Sequence, residues 1–274
     1  MKGFSSRLAH GTRSTACAVS LGVAALIGQN NAQAVIGNLS DGSSSISIDL
    51  SSSAGMTSWI AGGANQVAQE WFWFRIGNNA EAPINTISAP TVTQSLARQL
   101  TVSYDLAGAY GVTIKYDLTG SSSPGLTEAI TIVNHTATNM PLSFFKYGQV
   151  TLGGNGANQS VLFGTDGTGI TSVSQTGPGG RSFISALTSA GSRAEAALFN
   201  STLTSLNNGT ATTLNNVQSI GPANNPTYAF EWDFNINPGT SKQISIITQV
   251  PEPSAFALAA LAVAGFLRFK RKNG

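Results

Sequence analysis

The sequence predicts an all-β fold, an antiparallel β-sandwich of two packed sheets, from three features. Several segments alternate apolar and polar residues with a period of two. Two others are apolar on both faces. Stretches rich in glycine, serine, threonine and asparagine separate them, and the chain holds 30 glycines. Successive side chains of a strand point to opposite faces. Alternation therefore marks one buried and one wetted face, as in antiparallel sheets, and a run apolar on both faces marks a central strand.

Taken in order, Ile46, Ile48 and Leu50 alternate with Ser45, Ser47 and Asp49. Leu100, Val102 and Tyr104 alternate with Thr101, Ser103 and Asp105, and Val112, Ile114, Tyr116 and Leu118 with Thr113, Lys115 and Asp117. Ala107-Gly108-Ala109 connects these two strands. Tyr228, Phe230, Trp232, Phe234 and Ile236 alternate with Ala229, Glu231, Asp233 and Asn235. Trp71-Phe72-Trp73-Phe74, and Phe144-Phe145 within 142–152, are the runs covered on both sides. Asn237-Pro238-Gly239-Thr240 has the central residues of a type II turn, which would fold the strand ending at Ile236 back onto 241–250. Residues 164–180 and 215–226 read as long loops, and 193–199 as a short helix or another strand.

Both ends differ from this body. Lys2, Arg7 and Arg13 precede an apolar segment, 16–27, and Ala32-Gln33-Ala34 is an A-x-A cleavage site. Residues 1–34 are thus expected to be a signal peptide. The single cysteine, Cys17, lies inside it, and the domain at 35–250 must fold without disulfides. At 216 residues it can bury a sufficient core without them. It has seven basic against eleven acidic side chains, a net charge of −4, which argues against a nucleic-acid partner. Residues 251–274 begin with Pro251-Glu252-Pro253, continue as an uncharged apolar run over 254–267, and end with Arg268, Lys270, Arg271 and Lys272. A helix over that run would be roughly 21 Å long, short for a membrane crossing. The basic cluster would stay cytoplasmic and leave the preceding domain outside.

Pro-Glu-Pro, apolar helix and basic cluster in that order at the C-terminus resemble the PEP-CTERM sorting signal. Phe269 interrupts the basic cluster and departs from that pattern. The resemblance implies export in a Gram-negative bacterium that makes exopolysaccharide. It also implies recognition by exosortase, a membrane-embedded cysteine protease or transpeptidase.

Catalytic chemistry is sparse. His135 is the one histidine of the 35–250 domain and follows a strand, where a turn histidine bonded to backbone or water is expected. Without cysteine, multi-histidine and cysteine zinc sites are ruled out within one chain. The loop Asp166-Gly167-Thr168-Gly169 offers calcium a single carboxylate. No cofactor or metal is expected. Glu231 and Asp233 lie two apart on one strand face, a spacing from which a glycosidase pair could be built, although a solvated strand face explains them as well. Of the four tryptophans, Trp59 is the candidate for an exposed sugar-stacking platform, since the others sit on strongly apolar strands. The reading is a non-enzymatic surface or matrix protein associated with exopolysaccharide. Its rivals are a glycan hydrolase using Glu231 and Asp233, and a carbohydrate-binding module using Trp59.

The tail is expected to be a transient anchor at the inner membrane. The mature protein from the native host should lack 255–274, and changing Arg268, Lys270, Arg271 and Lys272 to Ser should disturb sorting while leaving cleavage after Ala34 intact. Intact-mass spectrometry checks this, and a mature species still ending at Gly274 is the contrary result.

Overall fold

A computed structural model of the protein describes residues 33–120 and 123–251. Residues up to Ala32, Glu252, Pro253, the apolar run 254–267 and the cluster Arg268, Lys270, Arg271 and Lys272 lie outside the described residues. Among the described residues no helix is long and apolar enough to cross a membrane. Ala34 is exposed ahead of the first strand, and Pro251 follows the last.

The strands are β1 (Ile36–Asp41), β2 (Ser44–Asp49), β3 (Gly55–Ala61), β4 (Ala64–Asn65), β5 (Val67–Ile76), β6 (Ala82–Pro83), β7 (Thr91–Leu96), β8 (Gln99–Leu106) and β9 (Tyr110–Thr119). They continue with β10 (Gly125–Asn134), β11 (Met140–Val150), β12 (Gln159–Asp166), β13 (Gly169–Thr176), β14 (Ser182–Gly191), β15 (Arg193–Ala197), then the helix α1 (Ser201–Leu206) and β16 (Ser219–Ala223), β17 (Thr227–Ile236) and β18 (Ser241–Gln249). The front sheet runs β1-β2-β3-β5-β11-β17-β15, with β4 and β6 at its flanks, and the back sheet β16-β12-β13-β14-β18-β10-β9-β8-β7. Pairing is antiparallel apart from a short β3–β5 contact around Glu70. The expected two-sheet all-β architecture is therefore observed.

The alternating segments behave as their pattern dictates. Leu100, Val102 and Tyr104 on β8 and Val112, Ile114, Tyr116 and Leu118 on β9 face inward, all buried. Gly108, at φ 75°, closes this hairpin in register from Leu106 and Tyr110 onward. The runs apolar on both faces, β5 and β11, sit side by side at the centre of the front sheet.

Three segments differ from expectation, and a fourth takes one of its two expected forms. The turn at 237–240 forms, with Gly239 at φ 65° and Thr240 N–H donating to Asn237 O at 3.1 Å. It does not make a hairpin, however: β17 belongs to the front sheet and β18 to the back. Asn134 steers the crossing. Its Nδ2 donates to Ile236 O at 2.9 Å and its backbone N–H to Thr240 O at 3.0 Å, so the chain leaves β17 and continues beside β10. Residues 164–180 are largely strand, because Phe163, Ile170 and Val173 drive one face of β12 and β13 into the core while Ser160, Ser174, Thr176 and the exposed Leu162 lie on the other. The 215–226 stretch contains β16, an edge strand on β12. Residues 193–197 are strand, with Ala194 and Ala196 buried.

Aromatic side chains fill the space between the sheets. Phe72 stacks on Phe144 at 5.7 Å, and the front-sheet Phe230 meets the back-sheet Phe163 edge-on at 5.3 Å. Among them lies a fully buried lysine. Lys146 Nζ donates to Glu70 Oε1 at 2.8 Å and to Glu128 Oε2, and sits 5.7 Å from the centre of the Phe72 ring. Glu70 comes from the neighbouring strand β5 and Glu128 from β10 in the opposite sheet. Tyr228 Oη donates to Glu70 Oε2 at 2.9 Å. Burial pushes Glu128 up to about 8, despite the attraction of Lys146. Burial alone would depress Lys146, but Glu128 and Glu70 outweigh it and raise its pKa.

Gly148 makes room for this arrangement. A Cβ there would stand 2.6 Å from the Tyr228 hydroxyl oxygen, in a core with no slack. Gly148→Ala should destabilise the protein by roughly 1–3 kcal/mol through overpacking. At about 2–4 °C per kcal/mol for a chain of this size, that is a Tm loss of several degrees. Thermal melts of the two proteins check this. An unchanged Tm would mean that Tyr228 moves aside without loss.

Candidate functional site

The polar candidates cluster on the outward face of the front sheet. On β17 the side chains of Glu231 and Asp233 point away from the back sheet. Glu231 stands beside Phe145 of β11 and Arg193 of β15, and Asp233 beside Ser143, which in turn neighbours Arg75 on β5. This face is not wetted around Glu231, whose exposure is 1%. The expectation of a solvated face holds for Asp233, which is exposed, and is corrected for Glu231.

The cover is the strap 198–218, consisting of α1 and the segment after it. Of its apolar residues, Leu206 and Leu214 are buried against the sheet, while Leu198, Phe199 and Val217 are exposed. Carboxylates of the sheet side hold the rest by accepting backbone N–H groups. Glu81 accepts from Thr212 at 2.8 and 3.1 Å, Glu231 Oε2 from Leu214 at 2.8 Å, and Glu195 Oε2 from Asn215 at 3.0 Å. Thr202 Oγ1 donates to Glu195 Oε1 at 2.6 Å, and Trp73 Nε1 to Asn207 Oδ1 at 3.2 Å. A hydrogen bond of this kind contributes about 0.5–1.5 kcal/mol net. The strap is therefore a built part of the domain.

Arg75 is the cation of this layer. It pairs with Glu81 at 2.8 Å, donates to Ser143 Oγ at 2.9 Å and to Thr212 O, and lies 3.7 Å from Glu231 Oε1. Ser143 Oγ donates onward to Asp233 Oδ1 at 2.7 Å. Glu231 Oε1 is buried without a hydrogen bond. Burial raises the Glu231 pKa to about 7, opposed by the Leu214 N–H and by Arg75. A carboxyl poised near neutrality beside an arginine has the electrostatics of an acid–base group. Yet its second oxygen is occupied by the strap backbone, and a substrate would have to displace Leu214.

The remaining candidates are placed plainly. Trp59 is 1% exposed, donates from Nε1 to Ser44 Oγ at 3.0 Å and meets Phe183 edge-on. It is a core residue, which corrects the exposed-platform expectation; Trp71, Trp73 and Trp232 are buried too. His135 lies at the surface with Nε2 3.0 Å from Asp105 Oδ2, a side-chain partner in place of the expected backbone or water. Asp166 Oδ1 accepts from the Thr168 N–H at 2.7 Å and so ties down its own hairpin turn. One open groove, of about 340 Å³, lies between β1, β2 and β7 and is lined by uncharged groups, among them Asn38, Ser40, Ser47, Ser58 and Gln94. Sequence reasoning missed Arg75, Glu81 and Glu195. An arginine directly after Trp71-Phe72-Trp73-Phe74, in a domain with seven basic residues, was the available signal.

The fold is a known one. A bacterial glucoamylase complexed with acarbose superposes with a TM-score of 0.56 at 9% identity, over 86% of this chain and 36% of the glucoamylase. The chain thus spans about a third of that protein's length. A galactose mutarotase related enzyme from Lactobacillus acidophilus superposes with a TM-score of 0.55 at 8% identity, over 80% of this chain and 98% of the other. The Slr1438 protein from Synechocystis gives 0.54 at 11% identity, over 80% and 96%. These likenesses are of fold. A search of curated protein sequences found no match. Residues 249–272 match the model of the PEP-CTERM protein-sorting motif, so the chain is a PEP-CTERM protein. The motif implies export, association with the envelope and processing by exosortase.

The raised pKa of Glu231 fixes the sign of a pH effect. Between its ordinary value of 4.5 and about 7 the folded state holds a proton that the unfolded chain has released, so this group's contribution to stability falls as pH rises. Glu231→Gln keeps an acceptor for Leu214 and removes the titration. Thermal melts from about pH 5 to about pH 8 should therefore decline less for the variant than for the wild type. Parallel curves would contradict the assignment.

Proposed function

We propose that the 35–250 domain is a non-enzymatic component of the cell surface or extracellular matrix. In this reading residues 1–34 direct export, and the apolar run 254–267 holds the chain at the inner membrane. Exosortase then acts near Pro251-Glu252-Pro253. What carries the non-enzymatic reading is the state of the front-sheet face. Its carboxylates Glu81, Glu195 and Glu231 are bound to the chain's own backbone, beneath a strap that fills the space a substrate would need. An enzyme depends on groups left free to meet the reacting atoms. The uncharged groove at Asn38, Ser47 and Gln94 gives exopolysaccharide a matching surface, since hydroxyl and amide groups pair with sugar hydroxyls without desolvating a charge.

A second reading, a glycan-acting enzyme or carbohydrate-binding module, draws on the fold shared with the glucoamylase and the mutarotase-related enzyme. For it, Glu231 and Asp233 remain the catalytic candidates once the strap is displaced. Glu231→Gln and Asp233→Asn separate the two. Both variants should keep the wild-type association with exopolysaccharide from the native host, measured by co-sedimentation, and neither wild type nor variant should release reducing sugar from it. A glycan-cleaving activity in the folded wild type that either change abolishes would replace the structural reading with the enzymatic one.

A further inference from the structure

The group of Lys146, Glu70 and Glu128 has more than an ion pair needs. A single lysine faces two carboxylates in a dry interior: Lys146 and Glu128 are 0% exposed and Glu70 4%. The three residues come from three strands and both sheets. Phe72 stands over the ammonium, Tyr116 of β9 is the cross-strand neighbour of Glu128, and Tyr228 donates to Glu70. Glu128 Oε2 meets Lys146, while Glu128 Oε1 is buried and accepts no hydrogen bond. An ionised carboxylate with one bare oxygen is costly in such a place. A carboxyl that is neutral, or has become an amide, is far less so.

We propose that Lys146 and Glu128 condense to an intramolecular isopeptide bond, which joins β11 of the front sheet covalently to β10 of the back sheet, with Glu70 acting as the proton acceptor. The parts suit the chemistry. Burial pushes the Glu128 carboxyl toward its neutral form, and the neutral acid is the electrophile for an amine. Glu70 Oε1, 2.8 Å from Lys146 Nζ, takes a proton from the ammonium and frees the nitrogen lone pair. The amine adds to Cδ of Glu128, and a C–N bond forms. The nitrogen passes a proton to oxygen, one C–O bond breaks, and water leaves with a proton relayed through Glu70. One amide and one water result, and the remaining proton stays on Glu70. An ammonium, a carboxylate and a carboxylic acid thereby become an amide and a carboxylic acid, with no charge left in the core. The Tyr228 hydroxyl keeps its acceptor on Glu70 Oε2 throughout. No oxidant is needed, and the role is one that disulfides fill in other exported domains, whereas this domain has no cysteine.

The test is made on the exported protein, denatured and digested with trypsin. Between Lys115 and Arg181 the only site for trypsin is Lys146. With the bond in place Lys146 is not cut, and residues 116–181 appear as one peptide lighter by one water, about 18 Da, than its sequence requires. Free peptides 116–146 and 147–181 at their unmodified masses would overturn the proposal, and this holds whether or not any variant folds. Glu70→Gln removes the proton acceptor. In variant protein with a native far-UV circular dichroism spectrum, cleavage after Lys146 should return. A Glu70→Gln protein that still carries the lighter 116–181 peptide would overturn the role given to Glu70.

Discussion

A lysine side chain set in the dry space between two sheets is the constraint around which this domain is arranged. Lys146 cannot be hydrated where it lies, and an isolated buried ammonium is strongly unfavourable. Its partners must therefore arrive from both sheets. Glu70 fixes the register of β5 beside β11, and Glu128 fixes the height of β10 against both. Tyr228 can reach Glu70 only because Gly148 has no side chain. Sheets packed through aromatic surfaces alone could slide, since such contacts are non-directional. The charged group admits one relative placement.

The outward face of the same strands follows a related rule. Arg75 stands over Phe145 and next to Glu81, with Glu231 close by, on the side away from Lys146. Here the carboxylates fasten a strap of which Leu206 and Leu214 are buried but Leu198, Phe199 and Val217 are not. A segment dominated by Ser, Thr and Asn cannot hold itself down by burial, because it has little apolar area to remove from water. Backbone N–H groups donated to Glu81, Glu195 and Glu231 replace that missing area with directional bonds. In doing so they occupy carboxylate oxygens on this face.

Much of the architecture was legible in the sequence. Period-two alternation located β8, β9 and β17, and the apolar runs at Trp71 and Phe144 marked the two central strands of the front sheet. The candidate site was less legible. Glu231 and Asp233 show the same spacing, but one is buried beneath Leu214 and the other faces water. Trp59 read as the exposed candidate because the other tryptophans sit on strongly apolar strands, yet it packs on Phe183, more than a hundred positions away. Lys146 follows Phe144-Phe145 in a strand apolar on both faces, and it is buried with partners. Which partners they are depends on strands remote in sequence.

The sequence by itself determined the local states of the chain: where it is extended, where it turns, which face of each strand is apolar, and the sorting motif at its end. These follow from dihedral preference and side-chain alternation, which act over a few residues. Only the tertiary structure decided sheet membership and coverage. The turn at 237–240 has hairpin residues but passes from one sheet to the other, because Asn134 holds both of its ends. The polar face of β17 has the pattern of a wetted surface, but a strap shields Glu231 on it from water. In both cases the deciding contacts join segments far apart in sequence, and local preference carries no record of them.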